Sequence, residues 1–186
     1  MTDLSIPRRV PAGATPEGDG VITGDGPVRV DAFVDFMCPF CRRFELSAGP
    51  TLSGLVAAGR ISLVYHPMSF LDAASTTRYS SRAGAASGCA ADGGKFAEYA
   101  HALFASQPPE GGPGLSDDEL VKLGASVGLA GEPFESCVRS GRYLDWPSYV
   151  TSAATDRGVT GTPTVLVGGV PVAPDGPAIA AAVSAA

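Results

Sequence analysis

Val28-Arg29-Val30-Asp31-Ala32-Phe33-Val34-Asp35-Phe36-Met37-Cys38-Pro39-Phe40-Cys41 passes from one backbone periodicity to another. Up to Phe36 the residues alternate. Val28, Val30, Ala32, Val34 and Phe36 share one face, and Arg29, Asp31, Phe33 and Asp35 share the other. Period two with β-branched and aromatic residues, after the turn signal Gly24-Asp25-Gly26-Pro27, predicts a strand. Phe33 makes the second face partly apolar as well, which predicts a central, buried strand. From Pro39 the period becomes helical. Phe44, Leu52, Leu55 and Val56 form an apolar stripe that Gly59 ends. Pro39 suits a first helical turn, where its missing N–H is not needed. Pro50 falls inside the helix and is expected to kink or break it.

The Cys38-x-x-Cys41 pair therefore sits at a strand-to-helix junction, with Cys38 at the helix N-terminus. Free backbone N–H groups and the positive dipole end stabilise a thiolate there. A lowered thiol pKa makes Cys38 a better nucleophile and leaving group near neutral pH. Cys41, one turn deeper, is placed to attack a mixed disulfide on Cys38. Two other chemistries fit the same four residues. One is a zinc knuckle that recruits Cys89 and Cys137 into a four-thiolate site, making the chain a zinc-stabilised binding module. The other is an inert structural disulfide. The strand–helix placement favours a redox-active dithiol: Cys89 and Cys137 lack knuckle spacing, and neither His66 nor His101 lies close by.

Working outward, Ile61–His66 reads as a second strand after Gly59, which makes a βαβ unit with parallel pairing. From about Ala73 to Arg157 the pattern is helical. Helices are expected over Ala73–Cys89 and Lys95–Ser106, then after the Ser116-Asp117-Asp118-Glu119 capping box, then behind Pro133 and Pro147. The chain returns to strand at Thr164–Val167, turns at Gly168-Gly169 into Val170-Pro171-Val172, and ends in an Ala-rich helix after Asp175-Gly176-Pro177. The pattern is β-α-β, a helical block, then β-β-α.

The chain has 186 residues and a formal net charge of −6, with 19 acidic against 13 basic groups. This length can bury a core without help from metals or disulfides. The acidic balance argues against non-specific nucleic-acid binding and against anionic membrane surfaces. No apolar run is long enough for a spanning helix. The first twenty residues, with Arg8, Arg9 and a Pro/Gly-rich run but no apolar core, do not read as a signal peptide. They are expected to form a flexible tail. The chain as written thus reads as cytoplasmic, or as extracytoplasmic if a leader has been removed.

The element order, Phe36-Met37-Cys38-Pro39-Phe40-Cys41 and Gly161-Thr162-Pro163-Thr164 together resemble the DsbA-like thiol–disulfide oxidoreductases, over about residues 20 to 186. The resemblance implies an α/β thioredoxin-like fold with an inserted α-helical domain. Residues 21–72 and 159–186 would form the thioredoxin-like part, 73–158 the insertion, and 1–20 the tail. It implies that Cys38 is the nucleophile and Cys41 the resolving cysteine. Thr162-Pro163 would be a cis-proline pair that lines a peptide groove with Pro39 and Phe40. The implied substrates are protein or peptide thiols and disulfides, with a separate redox recycling partner and no metal or organic cofactor. Some relatives carry a second disulfide in the insertion, so Cys89 and Cys137 are expected either to pair or to remain buried free thiols. Two departures stand out. Phe40 occupies a position where classical members carry His. Ala32 lies six residues before Cys38, where relatives often bury a carboxylate. Asp35, three residues before Cys38, is a candidate for proton transfer or for capping. A non-catalytic thioredoxin-fold adaptor that binds peptides near Pro163 is the third alternative.

Overall fold

The structure, a computed structural model, describes residue 7 and residues 9–186. Five strands form one sheet in the order β1-β3-β2-β4-β5. β2 (Val28–Val34) pairs parallel with β3 (Ile61–Pro67) and antiparallel with β4 (Thr164–Val167). β5 (Val170–Val172) completes the hairpin with β4, and β1 (Val21–Thr23) runs antiparallel to β3 on the other edge. β2 is central, as its two apolar faces predict. It ends at Val34 rather than Phe36 because Asp35 folds its carboxylate onto the N–H of Met37, 2.9 Å away, and turns the chain.

α1 (Pro39–Ala57) follows, with Cys38 at its N-cap and Pro39 in its first turn. It does not break at Pro50. That residue is exposed, as is Leu46 one turn earlier, so water can satisfy the carbonyl that the proline leaves without a donor. α1 packs on β3 and on α7 (Gly176–Ala185), which covers β4. Neighbouring residues of β3 point to opposite faces. Tyr65 reaches α1, where its hydroxyl donates to Glu45 Oε2 over 3.0 Å. His66 faces away, toward the side covered by α6 (Trp146–Asp156).

Between β3 and β4 lie α2 (Tyr79–Asp92), α3 (Phe96–Ala105), α4 (Asp117–Ser126), α5 (Glu132–Arg139) and α6. The first of these starts later than the expected Ala73. Ser75 Oγ accepts from the N–H groups of Thr77 and Tyr79, and Asp72 holds the Ser81 N–H, so local side-chain bonds replace the first helical turn. The capping box of α4 is present, with Glu119 N–H donating to Ser116 Oγ and Ser116 N–H to Glu119 Oε2. Cys89 on α2 and Cys137 on α5 are disulfide-bonded, with Cα atoms 5.8 Å apart.

Part of the expected tail is packed. Ala14 bridges to Val21, and Thr15 and Asp19 are buried. The Trp146 indole donates to Gly18 O over 2.8 Å, and Tyr149 OH to Glu17 O over 2.7 Å. A Cβ at Gly20 would lie 2.8 Å from Tyr65 O, so only glycine lets the segment cross β3 this closely. His66 spends both ring nitrogens here, one 2.6 Å from Asp19 O and the other 2.8 Å from Asp31 Oδ1. Burial opposes ionisation of Asp31, but hydrogen bonds from His66 and Arg29 outweigh it and hold the carboxyl at about 2. The tail expectation is thus corrected over residues 11–20. Residues 1–6 and 8 lie outside the described residues.

Candidate active site

The β2–α1 junction places Cys38 where three features meet. Its N–H donates to Asp35 O over 3.0 Å, closing the turn after β2. Its carbonyl accepts from Arg42 N–H, starting α1. Its Sγ lies 3.5 Å from the carbonyl oxygen of Thr162, which is joined to Pro163 by a cis peptide bond ahead of β4. The antiparallel pairing of β2 with β4 brings these residues together across 124 positions of sequence.

Cys38 is 5% exposed and Cys41 is fully buried; neither is disulfide-bonded. The Cys41 thiol donates toward Cys38. Together with the backbone N–H groups of Cys41 and Phe40, it outweighs burial and lowers the Cys38 thiol to about 6. Cys41 is pushed far up, by burial first and then by the Cys38 sulfur beside it. The Asp35 N–H lies 3.4 Å from Cys41 Sγ. The two sulfurs are therefore unlike: one a thiolate near neutrality that keeps a small exposure, the other a fully buried, proton-bearing thiol. Iodoacetamide alkylation of the reduced protein should follow this, with Cys38 reacting at a rate that halves near pH 6 and Cys41 silent. Mass spectrometry of the alkylated peptides gives both rates.

Asp35 is fully buried, and three donors hold its carboxylate. Oδ1 accepts from Met37 N–H and from Ser80 Oγ over 2.7 Å, and Oδ2 from Leu71 N–H over 2.9 Å. Burial raises this carboxyl to about 6 against those donors, with the Cys38 charge adding to the rise. The repulsion is mutual. Asp35→Asn should move the alkylation midpoint of Cys38 below that of the wild type, and a midpoint that rises instead would contradict this coupling.

The sequence offered no sign of Gln107, which lies in the loop after α3. Its Nε2 donates to Phe36 O and to Cys38 O, each over 3.0 Å, and ties the catalytic turn to the helical segment. Two such bonds contribute about 1–3 kcal/mol. Gln107→Leu should lower stability to urea by that amount with an unchanged m-value.

Phe40 is 61% exposed, with the Arg43 guanidinium 5.4 Å from its ring centroid. Thr162 and Pro163 are half-buried, and the Thr162 carbonyl lies beside the nearly buried Cys38 sulfur. Ala32 pairs with Tyr65, and the buried carboxylate on that face is Glu45, one turn after Cys41. The i, i+4 spacing from Cys41 within the buried stripe was the signal for it. Cys89 and Cys137 are bonded to each other and so cannot complete a four-thiolate zinc site. Among the described residues no other group of His, Cys, Asp or Glu is arranged to hold a metal.

The family model described as Thioredoxin matches residues 20–183. The reduced disulfide bond oxidoreductase DsbG of Mycobacterium tuberculosis is 35% identical with a TM-score of 0.73, covering 85% of this chain and 81% of that one. Reduced DsbA of the same organism is 31% identical with a TM-score of 0.74, covering 90% and 98%. Oxidised BdbD of Bacillus subtilis, at 18% identity and a TM-score of 0.75 over 95% and 96%, shares the fold. Among curated proteins, the serine/threonine-protein kinase PknE of Mycobacterium tuberculosis is 35% identical over 164 residues, 81% of this chain. The chain spans 29% of the length of that relative. The family match takes in both the cysteine pair and the Thr162-Pro163 turn, and two relatives agree with the chain over most of their own length; it belongs to the thioredoxin family, among the DsbA-like thiol–disulfide oxidoreductases.

Proposed function

We propose that the chain exchanges disulfides with protein or peptide thiols through Cys38-Pro39-Phe40-Cys41. The observation that carries this reading is the asymmetry of the pair: a Cys38 thiol lowered to about 6 at a helix N-terminus, backed by a fully buried, proton-bearing Cys41. With Cys38 and Cys41 joined, a substrate thiolate attacks Cys38 Sγ. A mixed disulfide forms, the Cys38–Cys41 bond breaks, and Cys41 leaves and takes up a proton. A second substrate thiolate attacks the substrate sulfur of the mixed disulfide and expels the Cys38 thiolate. The substrate loses two electrons, the dithiol gains them, and a separate redox partner restores the disulfide. The reverse route starts with Cys38 attack on a substrate disulfide and ends with Cys41 attack on Cys38.

A stabilised Cys38 thiolate favours the reduced protein, so the pair is poised to oxidise its substrates. Pro39, Phe40, Thr162 and Pro163 are the proposed substrate contacts, since the first two follow Cys38 in the chain and the Thr162-Pro163 turn brings its carbonyl to the sulfur. Asp35 is assigned two roles: its three donors hold the turn, and a carboxyl at about 6 can exchange a proton near neutral pH. Residues 21–72 and 159–186 are assigned as the thioredoxin-like part and 73–158 as its insertion. The Cys89–Cys137 bond favours an oxidising, extracytoplasmic compartment over the cytoplasm. No helix among the described residues is long and apolar enough to cross a membrane.

The test is reduction of insulin by dithiothreitol together with a redox titration of the Cys38–Cys41 couple. The protein should accelerate insulin reduction, and its couple should lie above the roughly −270 mV of thioredoxin. No acceleration would refute exchange. A couple at or below that value would refute the oxidising direction.

A further inference from the structure

A cavity opens on α1, away from the dithiol. It encloses about 680 Å³ between α1 and α3, with Leu63 and Tyr65 of the sheet as its floor. That is the size of a small organic ligand. Pro50, Val56, Ala97 and Ala102 make its walls largely apolar. Glu45 is the exception. It is 5% exposed, and its two oxygens are treated unequally. Oε2 accepts from Tyr65 OH over 3.0 Å. Oε1 receives no hydrogen bond from the described residues. His101 Nδ1 lies 3.6 Å from it, on a side chain that is 58% exposed at the mouth.

Burial raises the Glu45 carboxyl, while Tyr65 and His101 act in the opposite direction. The helix beside it is built to leave Oε1 open. Gly49 lies one turn on, in the middle of α1, where glycine is a poor helix former. A Cβ there would stand 3.3 Å from Glu45 Oε1 and cover it. Glu98, the other acidic group on the lining, is already paired with Lys95 Nζ over 3.1 Å, which leaves Glu45 as the acceptor for a ligand cation. Glu45 lies seven residues after Cys38, about 10 Å along the helix axis, so the cavity is separate from the dithiol.

We infer that this cavity binds a small amphiphilic amine, its ammonium donating to Glu45 Oε1 and its apolar body lying between α1 and α3. The ammonium takes the place of His101 as the partner of Oε1, and His101 swings out to water to admit it. A charge-assisted bond in an apolar site separates an amine from its neutral isostere by about tenfold in affinity.

The experiment is a ¹⁵N–¹H titration of the oxidised full chain with benzylamine, benzyl alcohol and benzoate, followed at the amides of Gly49, Ala97 and Ala102. Benzylamine should shift these amides saturably, with a Kd about tenfold below that of benzyl alcohol, and benzoate should not bind. Glu45→Gln should bring benzylamine to the affinity of the alcohol. Gly49→Ala covers Oε1, so it should weaken benzylamine about tenfold. His101→Ala should retain or strengthen amine binding. Equal affinity for amine and alcohol in the wild type, tighter binding of benzoate, no saturable shift, or loss of amine binding in His101→Ala would each overturn the inference.

Discussion

Cys38→Ser should lower disulfide-exchange turnover by at least about 1,000-fold, because the step it removes has no substitute. A serine oxygen forms no bond to sulfur of the kind the reaction passes through, and Cys41 is fully buried with its proton held tightly. The less buried of the two sulfurs and the reactive one are the same atom. Cys41→Ala should behave differently. Cys38 can still attack a disulfide substrate, but nothing behind it resolves the adduct. The mixed disulfide should accumulate as a band that reductant removes on a non-reducing gel. The same substitution deletes the hydrogen bond that contributes most to lowering the Cys38 thiol, so the alkylation midpoint should move above the wild-type value near 6. A Cys38→Ser protein that keeps a tenth of wild-type insulin reduction, or a Cys41→Ala protein that turns over without trapping substrate, would refute the division of roles.

The residues that revealed themselves in the sequence are those whose signal is local. β2, α1 with Pro39 in its first turn, the Ser116–Glu119 capping box and the β4–β5 hairpin each follow from spacing within a few residues. Cys38 and Cys41 were legible for the same reason. Thr162-Pro163 was not, by itself: an X-Pro step before a strand acquires meaning only through its likeness to a family, and the sheet then brings it to Cys38. What escaped depends on partners far away in the chain. Residues 11–20 look like a tail because glycine and proline dominate them, yet Gly18 and Glu17 bond to Trp146 and Tyr149 of α6. β1 has three residues, too few for a period to register. Gln107 lies in a loop that carries no motif, and its amide matters only because the fold delivers it to the carbonyls of Phe36 and Cys38. Pro50 shows the converse failure. The local rule against proline in a helix lost to a solvent-facing site where the missing hydrogen bond costs little.

The pair that sequence left open, Cys89 and Cys137, carries the largest expected effect on stability. The bond closes a loop over a sequence separation of 48 and joins α2 to α5. Constraining a loop of that length in the unfolded chain contributes about 4 kcal/mol by the chain-entropy relation. Cys89→Ala with Cys137→Ala should therefore lower Tm by about 8–16 °C for a protein of this size. Both sulfurs are buried, so the variant also loses apolar packing between the two helices. The exchange chemistry should survive at 25 °C, because neither residue touches the Cys38 turn. A companion experiment isolates the bond from the catalytic pair. In Cys38→Ser, Cys41→Ser protein the sole remaining disulfide is Cys89–Cys137, so excess reductant should lower Tm by the share due to the bond, somewhat less than the alanine pair, because the reduced thiols keep their packing. A fall under about 2 °C in either experiment would mean that α2 and α5 hold together through packing alone. The bond would then be dispensable for folding, and the argument for an oxidising compartment would lose its structural support.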